Sequence, residues 1–377
     1  MRMHDTHQVE RAVLAQVIHS RMDPAEAADS LLELGRLADT AGLEVAGQLT
    51  QNRERPDGGT FFGAGKVEDL KALVAEKAAN TVIFDNPLNA IQSYNLAKAL
   101  GVRIMDRSEI IIEIFARRAR TTEAQTQVEL AQLEFQLSRI PVTQAQQRFK
   151  GGIGMKGPGE SHLQLRNEPL RRRIAELKKR LADIQSRQTT RGKAKREWPV
   201  VSLVGYTNAG KSTLLNTLTD ADAYVDDRLF ATLDTKTRKV WLSEKRQILL
   251  TDTVGFIRNL PHGLVASFKS TLDVAVQADL LLVVVDAAYP RVDDHIAVCT
   301  RTLEEIGAKD VPYLLVLNKC DRGSADNAVL HVTEKYPQAI PVSAKTGYGL
   351  DLLKRAMIGE LQKCCTLWRL PSATSPT

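Results

Sequence analysis

Gly205-Tyr206-Thr207-Asn208-Ala209-Gly210-Lys211-Ser212 is the stretch on which the reading of this chain turns. Its spacing is that of a phosphate-binding loop, in which glycines let backbone N–H groups curl round phosphates and a lysine reaches the outer ones. Val200 to Val204, just before it, is an apolar run with the length of a buried parallel strand. Thr213 to Leu218, just after it, reads as the start of a helix. A strand, a glycine loop and a helix N-terminus in that order focus N–H groups and positive potential on one point, which an ordinary glycine-rich turn does not do. The expected fold is α/β with a mostly parallel sheet, with Lys211 on the outer phosphates and Ser212 holding Mg²⁺.

The segments downstream fit the same site. Leu229-Phe230-Ala231-Thr232-Leu233-Asp234 reads as a switch segment, with Phe230 and Ala231 beside the nucleotide and Thr232 as second Mg²⁺ ligand. Thr235 and Thr237 stand close enough in sequence to compete for that role. Leu249 to Thr251 is a strand running into Asp252-Thr253-Val254-Gly255, where Asp252 suits a water-mediated contact to Mg²⁺ and the Gly255 N–H suits the γ-phosphate. Leu280 to Val285 is a further buried strand. Two more end in Asn318-Lys319-Cys320-Asp321 and in Ser343-Ala344-Lys345. A carboxylate at Asp321 accepts from both guanine N1–H and the 2-amino group, and the Ala344 N–H can serve the guanine oxygen. Sites built to hydrogen-bond a group reject analogues lacking it by roughly 10⁴-fold, so the expected ligand is GTP or GDP rather than an adenine nucleotide.

Lys211, Gly255 and Asn208 are the candidate catalytic positions. Phe256 follows Gly255, where Ras-type enzymes carry a glutamine that orients the attacking water. Phenylalanine neither donates nor accepts, so slow unstimulated hydrolysis is expected. Asn208 resembles the asparagine with which some GTPases recruit K⁺; its other reading is that it merely stabilises the loop.

Upstream, residues 1–107 alternate short apolar strands with helices, as in a small parallel α/β domain. Gly63-Ala64-Gly65-Lys66 has the wrong spacing for a phosphate loop and reads as a helix-capping turn, while Asp85 and Asp106 read as polar strand ends. Residues 108–191 read as an antiparallel helical hairpin. One helix runs from Ile110 through Leu130, Leu133 and Leu137 to Ile140, where Pro141 stops it; the second carries Leu170, Ile174, Leu177, Leu181 and Ile184. The tip between them holds Gly151, Gly152, Gly154, Lys156, Gly157, Pro158 and Gly159, too glycine-rich for a helix. Bases including Arg171, Arg172 and Arg173 flank it and outnumber the acids, which suits a phosphate backbone as well as a solvated face. Gly152, Gly154, Lys156, Gly157, Gly159 and the three arginines are the candidate RNA contacts. Residues 192–198 form a basic linker, 199–364 the nucleotide domain and 365–377 a tail.

The 377-residue chain carries a net charge of +6. No signal peptide or membrane span is expected, since even Leu280 to Val285 lies between Asp279 and Asp286. Its four cysteines show neither zinc spacing nor a disulfide framework, which fits a reducing cytoplasm.

The glycine tip, the basic hairpin and this order of guanine motifs together make the chain similar to HflX-type GTPases. The resemblance rests on Phe61 to Lys66, on Gly152-Ile153-Gly154 with Gly157-Pro158-Gly159-Glu160, on Gly205 to Thr213, on Leu229 to Asp234, and on Asp252 to Phe256. It covers nearly the whole chain. It implies a cytoplasmic, ribosome-associated GTPase, expected as a monomer, that binds the 50S subunit and its rRNA and splits stalled or idle ribosomes under stress. The alternative is a GTP-gated RNA-binding factor for large-subunit assembly. Thr235 departs from the proline expected there, and little chain is left after Gln362 for the extra C-terminal domain of some relatives.

Overall fold

The computed structural model describes residues 10–20, 22–140, 158–192, 197–219, 229–230, 236–244, 246–258, 269–323 and 325–364. The chain divides into two compact units, Met1–Arg117 with Gln125–Ala182, and Arg118–Ala124 with Asp183–Thr377.

The first unit holds a four-stranded parallel sheet in the order β2-β1-β3-β4, formed by β1 (Arg11–Ile18), β2 (Glu44–Asn52), β3 (Thr81–Phe84) and β4 (Arg103–Asp106). Strands β1 and β3 are central, largely apolar and buried along almost all of their length. The crossovers are α1 (Pro24–Thr40), α2 (Ala64–Glu76) and α3 (Ala90–Leu100). Asp23 caps α1 ahead of a proline, and Asn89 and Gln92 cap α3 reciprocally at 2.8 and 3.0 Å. Gly63 is the N-cap of α2, as its sequence reading required.

Two polar strand ends turn out to be structural centres. Asp85 is buried, salt-bridged to Arg107 at 2.6 Å, and accepts from Ser30 Oγ at 2.7 Å and Gln16 Nε2 at 3.0 Å. Arg107 also pairs with Glu33 at 2.7 Å. Burial alone opposes its charge, but Asp85 and Glu33 outweigh this and raise the guanidinium above its ordinary value. Asp106 accepts from the Leu88 N–H and pairs with Arg139.

The single long helix expected after residue 108 is two helices, α4 (Arg107–Arg118) and α5 (Thr122–Ser138). The Thr121 hydroxyl accepts from the Ala124 N–H at 3.2 Å and starts the second, a capping interaction that heptad spacing does not reveal. Helix α4 as far as Arg117 lies in the same compact unit as the N-terminal sheet, and so does the hairpin from Gln125 to Ala182. Its seam matches expectation: Leu130 packs with Ile174, Leu177 and Leu181 of α6 (Pro158–Gly192), with Leu133 and Leu137 against them. Because α6 starts at Pro158, Gly159 and Glu160 are helical, a correction to the extent of the glycine tip. Gly152, Gly154, Lys156 and Gly157 lie outside the described residues.

The second unit contains a six-stranded sheet in the order β10-β9-β8-β5-β7-β6. Its strands are β5 (Val200–Gly205), β6 (Lys236–Ser243), β7 (Arg246–Asp252), β8 (Leu280–Asp286), β9 (Tyr313–Asn318) and β10 (Ile340–Pro341). All neighbours are parallel except the β6–β7 pair. Helices α7 (Lys211–Leu218), α8 (Lys269–Val276), α9 (Val292–Glu305), α10 (Asp326–Lys335) and α11 (Leu350–Cys364) complete the unit. The sheet has an apolar cluster on each side, one including Leu214, Leu353 and Met357, the other Leu272, Ile296 and Leu303. The carboxyl ends of β5, β7, β8, β9 and β10 carry the candidate site, as in open α/β sheets generally.

Candidate nucleotide site

Strand β5 delivers the loop 205–212 directly into α7. Gly210, at φ 89°, has no room for a side chain: a Cβ there would lie 2.3 Å from Asn318 Nδ2. Asn208 is also left-handed, at φ 60°, a conformation asparagine tolerates better than most residues. Lys211 is buried, and its ammonium donates to the carbonyls of Gly205 at 3.0 Å and Tyr206 at 2.8 Å. Burial pushes its ionisation below the ordinary lysine value, with Asp252 opposing the shift.

The end of β7 meets this loop. Ser212 Oγ donates to Asp252 Oδ2 at 2.6 Å, and Asp252 is fully buried. A Cβ on Gly255 would sit 2.8 Å from Thr207 Cγ2 and 3.0 Å from Lys211 Nζ, so Gly255, Thr207 and Lys211 converge. The Phe256 N–H donates to the Gly205 carbonyl at 2.9 Å, and its own carbonyl accepts from the Thr207 N–H at 2.7 Å. Its ring is buried beside Val204, Tyr206 and Leu272.

The guanine-type motifs fold against the same loop. Asn318 Nδ2 donates to the Ala209 carbonyl at 2.8 Å, and Asn318 Oδ1 accepts from the Ala344 N–H at 3.0 Å. Lys319 Nζ donates to the Asn208 carbonyl at 2.6 Å and pairs with Asp286 at 2.8 Å. Ser343 Oγ donates to Asp321 Oδ1 at 2.7 Å, and this bond, slightly opposed by desolvation, holds the Asp321 carboxyl below the ordinary carboxylate range. Thr217 Oγ1 donates to the Ala344 carbonyl at 2.8 Å. Lys345 is exposed beyond them.

Gly205 to Thr213, Asp252, Gly255, Asn318, Lys319, Asp321, Ser343 and Ala344 therefore gather at one sheet edge, as read from the sequence. Other candidates do not present side chains there. Thr253 spends its hydroxyl on the Leu203 carbonyl at 2.7 Å, Val254 is buried, and the Tyr206 ring stacks on His295 with centroids 3.7 Å apart. Thr237 belongs to β6, where its hydroxyl bonds that of Thr251 at 2.9 Å, which removes it as a Mg²⁺ ligand. Phe230 is buried at φ 54°, whereas Ala231, Thr232 and Thr235 lie outside the described residues.

Sequence reading missed the wall behind the loop. His295 is sandwiched between Tyr206 and Tyr289, and the Tyr206 hydroxyl accepts from the Arg258 N–H at 3.1 Å. Arg258 in turn pairs with Asp294 at 2.9 Å. No motif flags a stack in which Tyr206 and His295 are 89 residues apart, but Asp286 could have been found as the polar end of an apolar strand.

The residues present fit a nucleotide phosphate with Mg²⁺. The buried Thr207 hydroxyl has no hydrogen-bond partner among the described residues, and Ser212 and Asp252 supply a hydroxyl and a carboxylate next to the lysine. Among those residues no group of three or more His, Cys, Asp or Glu could hold a metal ion.

Comparison with known proteins agrees. Family models described as GTP-binding GTPase N-terminal, GTP-binding GTPase Middle Region and 50S ribosome-binding GTPase match residues 28–116, 118–195 and 200–319. GTPase HflX of Caldanaerobacter subterraneus subsp. tengcongensis is 45% identical over 94% of this chain and 81% of its own length. GTPase HflX of Escherichia coli K12 is 41% identical over 93% of this chain and 83% of its own. The crystal structure of SsGBP in complex with GDP is similar at 25% identity and a TM-score of 0.51, over 95% of this chain and 99% of that one. With the phosphate loop, the guanine motifs and both upstream regions matched, this chain belongs to the HflX family of GTPases.

Proposed function

We propose that this GTPase binds the large ribosomal subunit through rRNA and uses GTP binding and hydrolysis to split or rescue stalled or idle ribosomes under stress, acting as a cytoplasmic monomer. The observation that carries the ribosomal part is the match of residues 200–319 to a family described as 50S ribosome-binding. Among the described residues no helix is long and apolar enough to cross a membrane, which is compatible with that setting.

In this reading Lys211 leaves the carbonyls of Gly205 and Tyr206 for the outer phosphates, where the nucleotide's charge compensates its burial. Ser212, Thr232 and Asp252 would hold Mg²⁺, which would offset charge on the phosphates. Asp321 takes guanine N1–H and the 2-amino group, and the Gly255 N–H senses the γ-phosphate. Phe256 offers the attacking water nothing, so hydrolysis is slow until the ribosome stimulates it.

On α6 the basic face is partly neutralised. Arg173 pairs with Glu129 at 2.8 Å and Glu176 at 2.9 Å, Arg172 with Glu168 at 3.0 Å, and Lys178 with Glu134 at 2.9 Å. Arg171 and Arg172 remain exposed. Among the three arginines, the doubly paired Arg173 is therefore the weakest candidate for the proposed RNA contact.

Sedimentation of intact ribosomes with the protein and a non-hydrolysable GTP analogue tests the proposal. Separation into subunits is expected, and its loss when residues 151–157 are shortened. Binding without separation supports an assembly factor instead.

A further inference from the structure

Strand β6 is an edge strand that pairs only with β7 in the described sheet. Its two faces differ in kind. Val240 and Leu242 are buried against the core, whereas Lys239 and Trp241 point the other way and are exposed. Trp241 keeps 57% of its surface in water, although it is among the residues with most to gain from burial. Lys239 Nζ lies 3.8 Å from the centre of the Trp198 ring, a cation–π contact that turns a second tryptophan toward the same strand. The strand Lys236–Ser243 holds Lys236, Arg238 and Lys239 and no acid.

Lysines alone on an edge strand are explained as protection against strand-to-strand association. That account does not cover an exposed tryptophan, which makes an edge stickier. Aromatic faces interleaved with cations are what an unpaired nucleic-acid strand requires: bases stack on the rings, and lysines and arginines track the phosphates.

We propose that the outward face of the β6 edge, with Trp241 as stacking platform and Lys239 as phosphate contact, binds single-stranded RNA. This deepens the ribosomal reading, on which it rests for the natural source of the RNA, by adding a contact on the GTPase unit separate from the glycine tip.

The test titrates a fluorescently labelled ten-nucleotide single-stranded RNA with the full chain at constant GDP, and follows tryptophan emission in parallel. Binding is expected to quench that emission and to weaken with salt. Trp241→Ala is expected to weaken it about tenfold, with Trp241→Phe restoring most of the loss. Lys239→Gln should lower the slope of log affinity against log salt by about 0.7, the share of one phosphate on a single strand. Basal GTP hydrolysis and circular dichroism, unchanged in these variants, exclude misfolding. Absence of binding by the wild-type chain, equal affinity in Trp241→Ala, or equal preference for duplex RNA overturns the proposal. A chain with residues 151–157 shortened separates the two readings, because it should keep oligonucleotide binding while losing ribosome splitting.

Discussion

Asn318 joins the guanine motif to the phosphate loop by donating from Nδ2 to the Ala209 carbonyl at 2.8 Å. Its Oδ1 accepts from the Ala344 N–H at 3.0 Å, so one buried amide fixes three segments that are far apart in sequence. Asn318→Ala leaves a buried carbonyl and a buried N–H unpaired, each costing about 1–3 kcal/mol. The expected outcome is a lower unfolding midpoint and a loss of both GDP and GTP affinity of roughly ten- to a hundredfold, measured by calorimetry. GDP and GTP should suffer alike, because the tie does not touch the γ-phosphate.

Phe256 occupies the position of the Ras-type glutamine but faces the opposite way. Its backbone is bonded to Gly205 and Thr207 and its ring lies in the core with Val204 and Leu272. Phe256→Gln therefore places an amide in an apolar pocket instead of beside the attacking water. Single-turnover hydrolysis should not accelerate, and stability should fall by about 3 kcal/mol. A faster unstimulated rate in this variant would show that the side chain can reach the γ-phosphate.

Much of this arrangement was legible because its signals are local. Apolar runs ending in Asp286 and Asn318 mark β8 and β9, the run ending at Gly205 marks β5, and the loop 205–212 announces its own chemistry. What escaped was information held between distant residues. Strand β6 opens with Lys236-Thr237-Arg238-Lys239, which carries no apolar strand signal, and only the burial of Val240 and Leu242 against the core fixes it in the sheet. Between Phe115 and Leu130 the sequence carries no proline or glycine to mark a helix end, so the break that Thr121 makes is hidden. Asp85 was unremarkable by itself; Arg107, 22 residues on, makes it the centre of a network.

Asp321 must be ionised to accept from guanine, and Ser343 is the main reason its carboxyl titrates below the ordinary range. As pH falls, GTP affinity is lost through that depressed value. Ser343→Ala removes the bond and moves the loss to higher pH, toward the value of an unperturbed aspartate. Nucleotide titrations at a series of acidic pH values read the shift directly. Identical acid limbs in the two proteins would mean that the hydroxyl does not tune this carboxylate.

In the N-terminal unit Arg107→Ala strips the buried Asp85 carboxylate of its counter-charge while leaving it in place. Breaking a buried pair from one side costs about 3–5 kcal/mol, so the unit is expected to melt well below the wild type. Calorimetry in the presence and absence of GDP checks this, because nucleotide should protect the GTPase unit and leave the early transition unmoved.

Asn208 has a carbonyl committed to Lys319 at 2.6 Å and a side-chain oxygen 3.5 Å from the same ammonium. The amide oxygen is thus held beside the loop at the end of a short lever, in a left-handed backbone conformation that keeps it there. If that oxygen recruits K⁺ toward the phosphates, the cation supplies the positive charge that Phe256 cannot help to place. Hydrolysis should then run about tenfold faster or more in K⁺ than in Na⁺ at equal ionic strength, and Asn208→Ala should erase the difference with little change in GDP affinity. Equal rates in the two salts leave Asn208 as a loop-stabilising residue and assign the missing help to the ribosome.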